Sequence, residues 1–212
     1  MILKINDKKY PVTIVYKANK NMYLRVKDDL SILVTAPFGI SATKISKFIN
    51  SNLKYITKAI LAKEEKLQRY EDKFLFLGKL YDKCYINKRG IELGCNKAFI
   101  GNSTNVDNWY LKQAKVIFTK VYDECFNNFN YEGKKPLLRI RKMKSKWGVC
   151  NVTNNIITLN LELIKFDLKY LEYVIYHEMC HLIYPNHSEK FWRLVSNYVP
   201  NYKSFRKEMK NI

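Results

Sequence analysis

The chain has three histidines, and all three fall in the stretch His177-Glu178-Met179-Cys180-His181-Leu182-Ile183-Tyr184-Pro185-Asn186-His187. This concentration constrains the local fold. On a helix, His177 and His181 lie four residues apart, on one face and about one turn from each other. Both rings can then reach one ion. Glu178, rotated by about 100° from His177, sits beside that ion without ligating it, where a base for an activated water belongs. H-E-x-x-H is the pattern of zinc peptidases. Catalytic zinc keeps three protein ligands and leaves a position for water, and His187 is the candidate third ligand. It can reach the ion only if the helix stops after His181. Pro185 supplies the stop, because it disfavours helical geometry at Tyr184 and has no N–H to donate. Asn186 suits the turn that follows. Glu189 and Glu208 are the fallback third ligands.

The plainer alternative is two ordinary helix histidines beside a solvated glutamate. Against it, Leu171, Val174, Ile175 and Leu182 recur at helical spacing, so the segment is expected to be partly buried. Buried His and Glu need partners.

Composition narrows the setting. Hydrophobic residues make up 47% of the 212 residues, enough for a packed core. No apolar run approaches the roughly 20 residues of a membrane span. The opening residues have no basic start followed by a long apolar stretch, so a cytoplasmic protein without a membrane segment is expected. Five cysteines without a C-x-x-C pair are neither a disulfide framework nor a cysteine zinc site, and Cys180 reads as a core thiol. Lys and Arg number 38 against 19 Asp and Glu, a net charge of +19. Such a field attracts polyanions and makes nucleic acid a candidate partner. AT-biased coding accounts for many of the lysines, which are spread along the chain.

Pattern reading gives an α+β chain. Segments 9–16, 22–26 and 31–36 read as a small antiparallel meander. Ser41 is the expected cap of one long helix running to about Tyr70. A second β stretch with glycine-marked hairpins fills 74–100, and a helix covers 106 to about 129. Strands are expected at 137–141, 147–150 and 156–160, the last two joined by a turn at Thr153-Asn154. Asp167 is the expected cap of the histidine helix, and Ser188 that of another. The expected organisation is a β-rich region with a long helix over 1–101 and a second region over 102–212, or one continuous domain.

The sequence resembles the YgjP-like metallopeptidases, zinc-dependent proteins related to the SprT and WLM groups. The resemblance is carried by His177-Glu178-Met179-Cys180-His181, by Asn186-His187-Ser188 and by Phe191-Trp192. It also rests on Arg141-Lys142-Met143-Lys144-Ser145-Lys146-Trp147-Gly148-Val149-Cys150, against a family motif similar to R-x-M-K-S-R-W-G-S-C. Weaker similarity covers Val34-Thr35-Ala36-Pro37 and Leu77-Gly78-Lys79-Leu80-Tyr81. Met179, Val149 and Lys146 depart from the usual Leu, Ser and Arg without touching the ligand set. The resemblance implies a zincin-like core over 102–212, with a mostly antiparallel sheet packed on the zinc helix. It implies His177, His181 and His187 as ligands of Zn2+, Glu178 as the base, and a peptide or unfolded protein as substrate.

In zincins, substrate adds as a strand beside a sheet edge. Ile156, Ile157, Thr158, Leu159 and Asn160, just before the zinc helix, are the candidate edge. Trp147 and Gly148 beside a basic run suggest a strand making a close approach to something, although Trp147 is equally explained by packing. Arg139, Arg141, Lys144 and Tyr184 are candidates for the oxyanion, and Trp147 for substrate contact. Two other readings stand beside the peptidase: a nucleic-acid-associated protease of SprT-like type, and a non-catalytic module pinned by zinc.

Overall fold

The computed structural model describes residues 1–210, in two compact units, Met1–Asp72 and Lys73–Ile212. Among the described residues there are three small sheets and six α-helices. No helix is long and apolar enough to cross a membrane.

In the first unit, β1 (Ile2–Ile5), β2 (Lys8–Lys17), β3 (Tyr23–Val26) and β4 (Ile32–Pro37) form a sheet ordered β1-β2-β4-β3. β4 pairs parallel to β2 and antiparallel to β3, so this is not the expected meander. The reason is burial. β4 presents Ile32, Val34 and Ala36 to the core at no measurable exposure, and takes the position hydrogen-bonded on both sides. β3 exposes Tyr23 and Arg25 and suits an edge. The expected long helix is two, α1 (Ala42–Ser51) and α2 (Leu53–Glu71). Ser41 caps α1 through the Lys44 N–H, as expected. At the break, the Asn52 side chain donates to the Phe48 carbonyl at 2.8 Å, a local bond that competes with the helix ladder. Ile45, Ile49, Ile56 and Ile60 cover the inner face of the sheet.

The second unit begins with β5 (Lys73–Phe76), β6 (Lys79–Ile86), β7 (Ile91–Leu93) and β8 (Lys97–Gly101), ordered β5-β6-β8-β7, followed by α3 (Val106–Asn128). Phe74, Tyr81, Ala98 and Ile100 share one core with Tyr110 and Phe118 of α3 and with Leu171 and Ile175 further on. The division therefore falls at residue 72/73 rather than near 101. The second β stretch belongs with the histidine helix because its apolar face has its partners there.

A three-stranded sheet follows: β9 (Leu137–Arg141), β10 (Gly148–Asn151) and β11 (Ile156–Asn160), ordered β10-β11-β9. β11 is antiparallel to β10 and parallel to β9, so the sheet is mixed, not mostly antiparallel. Ile157 and Leu159 are fully buried, which draws β11 to the centre. Buried Asn160 pins the loop before Trp147: its Nδ2 donates to the carbonyls of Met143 (2.9 Å) and Lys146 (2.8 Å), and its Oδ1 accepts from the Met143 and Glu162 N–H groups. A 3-10 turn, Leu161–Lys165, leads to α4 (Leu168–Cys180), then α5 (Glu189–Tyr198) and α6 (Tyr202–Glu208). Asp167 and Ser188 cap α4 and α5 as expected. Gly78, at φ +78, lets the β5–β6 turn approach the α4 cap: an added Cβ would lie 3.1 Å from the Asp167 nitrogen. Leu77 and Gly78 donate to the carbonyls of Ile164 and Lys165 there.

Candidate metal centre and active site

The second half of α4 is buried nearly all round. Leu171, Val174, Ile175, Met179 and Cys180 fill the core, with the Cys180 thiol pushed up to about 12 by burial. His177 and His181 emerge from it half-buried, and His187 is exposed. α4 ends at Cys180, and tight bonds carry the chain to the Tyr184 N–H, which donates to the Cys180 carbonyl. Pro185 follows, and the chain turns so that His187 faces back. Nε2 of His187 lies 3.1 Å from Nε2 of His177. One ligand atom from each of the three rings falls within 4.8 Å of the others, so the three could hold a metal ion.

The protonation pattern fits a cation. His181 Nδ1 lies 3.1 Å from the Tyr184 carbonyl oxygen. A carbonyl only accepts, so the proton sits on Nδ1 and Nε2 is left as a bare lone pair. Burial holds His177 down to about 3, helped by His181, His187 and Arg206, and burial lowers His181 as well. Both rings are thus neutral rather than imidazolium ions. Nitrogens on a tetrahedral zinc, at bonds of about 2.0–2.1 Å, stand roughly 3.3 Å apart, close to the spacing of His177 and His187.

Phe191, missed in the sequence reading as a site residue, is the floor of the cluster. It is fully buried, with ring centroids 5.0, 4.6 and 4.8 Å from His177, His181 and His187. Trp192 stacks on His187 at 5.3 Å and on Tyr202 at 5.2 Å, and the Arg206 guanidinium lies 4.7 Å over its ring. The only signal for these roles was the Phe191-Trp192 pair following the third histidine.

Glu178 is 6% exposed. Burial pushes its carboxyl up to about 7, opposed by the Cys150 backbone N–H and the charge of Lys146. Gly148 lies directly against this side chain: a Cβ there would meet Glu178 Cγ and Oε1 at 2.6 Å. The close approach suggested by Trp147-Gly148 is therefore to the glutamate.

The other candidates scatter. Trp147 packs edge-on against Phe166 at 5.7 Å. Arg139 and Arg141 are exposed on β9, at the sheet edge opposite β10, and Lys144 is exposed in the loop between them. Tyr184 meets the cluster through its backbone carbonyl. Ile156 to Asn160 form the central strand, hydrogen-bonded on both sides, and have no free edge to offer. β10 is the edge strand on the α4 side of this sheet. The fallback candidates lie outside the cluster of three histidines: Glu208 accepts from the Tyr170 hydroxyl at 2.5 Å, and Glu189 pairs with Arg193.

Known structures and families bear on the chain as follows. The metallopeptidase zymogen abylysin of Pyrococcus abyssi is 21% identical over 44% of this chain and 92% of its own, with a TM-score of 0.41. The zymogen jannalysin of Methanocaldococcus jannaschii is 22% identical over 44% of this chain and 94% of its own, with a TM-score of 0.40. No curated protein matches the sequence. The match to a family is broad, running over residues 20–212 and taking in the histidine cluster, the buried glutamate and the strand against it: the chain belongs to the YgjP-like family of metallopeptidase domains.

Proposed function

We propose that this chain is a zinc-dependent peptidase of zincin-like architecture, with His177, His181 and His187 as the metal ligands and Glu178 as the general base. The observation that carries this reading is a buried carboxylate next in sequence to one of three convergent imidazoles. Zinc held there supplies a Lewis acid for the scissile carbonyl and acidifies water. Glu178 takes the proton of the attacking water and passes it to the leaving amine. Gly148 leaves room for the Glu178 side chain beside β10, and an extended peptide adds along the free side of that strand.

The test is a pool of unfolded proteins treated with the zinc-loaded protein, the chelated protein and the chelated protein re-supplied with zinc. New peptide N-termini, read by mass spectrometry, are expected in the first and third only. Equal termini in all three sink the reading. His187→Ala is expected to weaken zinc binding by at least about tenfold, consistent with a lost direct ligand, measured by competition with a chromogenic chelator. Unchanged affinity moves the third ligand elsewhere.

A second reading, contact with single-stranded nucleic acid, is favoured by one face of the first unit. No Asp or Glu occurs on β1 to β4. Tyr10, Val12, Ile32 and Val34 point into the core, and the alternate residues Lys9, Thr13, Lys17, Tyr23 and Arg25 are exposed. Basic side chains with an aromatic on an open sheet suit phosphate and base stacking. Reversing Lys9, Lys17 and Arg25 to Glu is expected to weaken binding to an oligonucleotide and flatten its salt dependence. Reversal of three helix lysines with the same effect would reduce the interaction to net charge.

A further inference from the structure

We infer that Gly148 is a positioning residue whose missing side chain seats Glu178, so that the Trp147-Gly148-Val149-Cys150 segment serves the glutamate of the histidine helix. The inference deepens the peptidase reading and rests on it for the catalytic consequence only. A Cβ at residue 148 would fall 2.6 Å from Cγ, 2.6 Å from Oε1 and 2.8 Å from Cδ of Glu178. These distances are shorter than any real non-bonded carbon contact, so something must yield. β10 cannot easily do so. Gly148 pairs with Leu159 and Val149 with Thr158, the Trp147 carbonyl accepts from Asn160 N–H, and Leu159 is fully buried. The α4 backbone is held by Leu171, Ile175 and Met179 in the core. What remains is the Glu178 side chain. It must leave the place it holds against β10.

Gly148 has an ordinary φ rather than a left-handed one. Glycine is thus required by the space its neighbour occupies, not by its own backbone. This separates it from Gly78, where both requirements hold. The strand thus supplies room for the side chain of the base at Gly148. The fold thus brings Gly148 against Glu178 although 29 residues lie between them in the sequence.

The test is a double-mutant cycle of Gly148→Ala and Glu178→Ala, read by thermal and urea denaturation, zinc stoichiometry and, where turnover is found, kcat and KM. In the native background, Gly148→Ala is expected to lower the melting temperature. In the Glu178→Ala background, where no Cγ remains to be struck, the same substitution should cost little. If Gly148→Ala fails to fold with Glu178 present, folding of the double variant carries the same information. Zinc stoichiometry is expected to stay intact in Gly148→Ala, with kcat down by about 100-fold, the scale of a misplaced group, and KM nearly unchanged. An equal loss of stability in both backgrounds, or a double variant that also fails to fold, overturns the inference. So does a Gly148→Ala protein that turns over like the native one. A native protein without peptidase activity would sink the functional reading while the stability cycle still decides the seat.

Discussion

Glu178→Gln is expected to keep the zinc and lose the turnover. Glutamine preserves the length and shape that fit against Gly148. It cannot take a proton from water. General-base catalysis contributes about 10²–10⁴-fold, and a loss of that size in kcat is expected at unchanged zinc stoichiometry. The variant is also expected to be no less stable than the native protein, because a carboxylate buried to 6% exposure is replaced by a neutral group. Metal analysis, steady-state kinetics and urea denaturation on the same preparation check all three. Loss of zinc in this variant would make Glu178 a ligand or a support of the ligands. Retained turnover would place the base elsewhere.

Phe191→Ala is expected to be the most damaging single truncation near the site. The ring is fully buried and touches all three imidazoles, with centroids between 4.6 and 5.0 Å. Removing a buried phenyl costs about 3–5 kcal/mol, a large share of the stability of a small protein. The loss should also reach the metal. His187 comes from a loop and is exposed, so the packing of Phe191 and Trp192 is what orders it. A weaker zinc affinity is expected along with the lower urea midpoint. Phe191→Leu, which retains most of the volume, should recover much of both. A Phe191→Ala protein of native stability and affinity would show that the cluster needs no floor.

The two substitutions separate chemistry from scaffold. Glu178→Gln alters the reactive group and leaves the packing. Phe191→Ala leaves every candidate ligand and base and removes what they rest on. If both lose activity but only the second loses metal affinity, the histidines are organised from below by Phe191 and the glutamate from the side by β10.

What could be read from the sequence alone was short-range. The spacing of His177 and His181 places them on one helical face wherever that helix lies, and Pro185 forces the turn that frees His187. Asp167 and Ser188 cap their helices through bonds that span two or three residues. Such features are decided within a turn or two of chain. The placement of β4 and β11 was not legible, because each became central through the burial of its own apolar residues against elements far away in sequence. The same cause moved the unit boundary to Asp72, since Phe74, Tyr81 and Ile100 find their apolar partners on α3 and α4. The candidate edge strand proved central for that reason, and Gly148 acquired its meaning only when packing set Glu178 against it. Side-chain chemistry at fixed spacing determined the metal-binding groups; competition for burial determined what surrounds them.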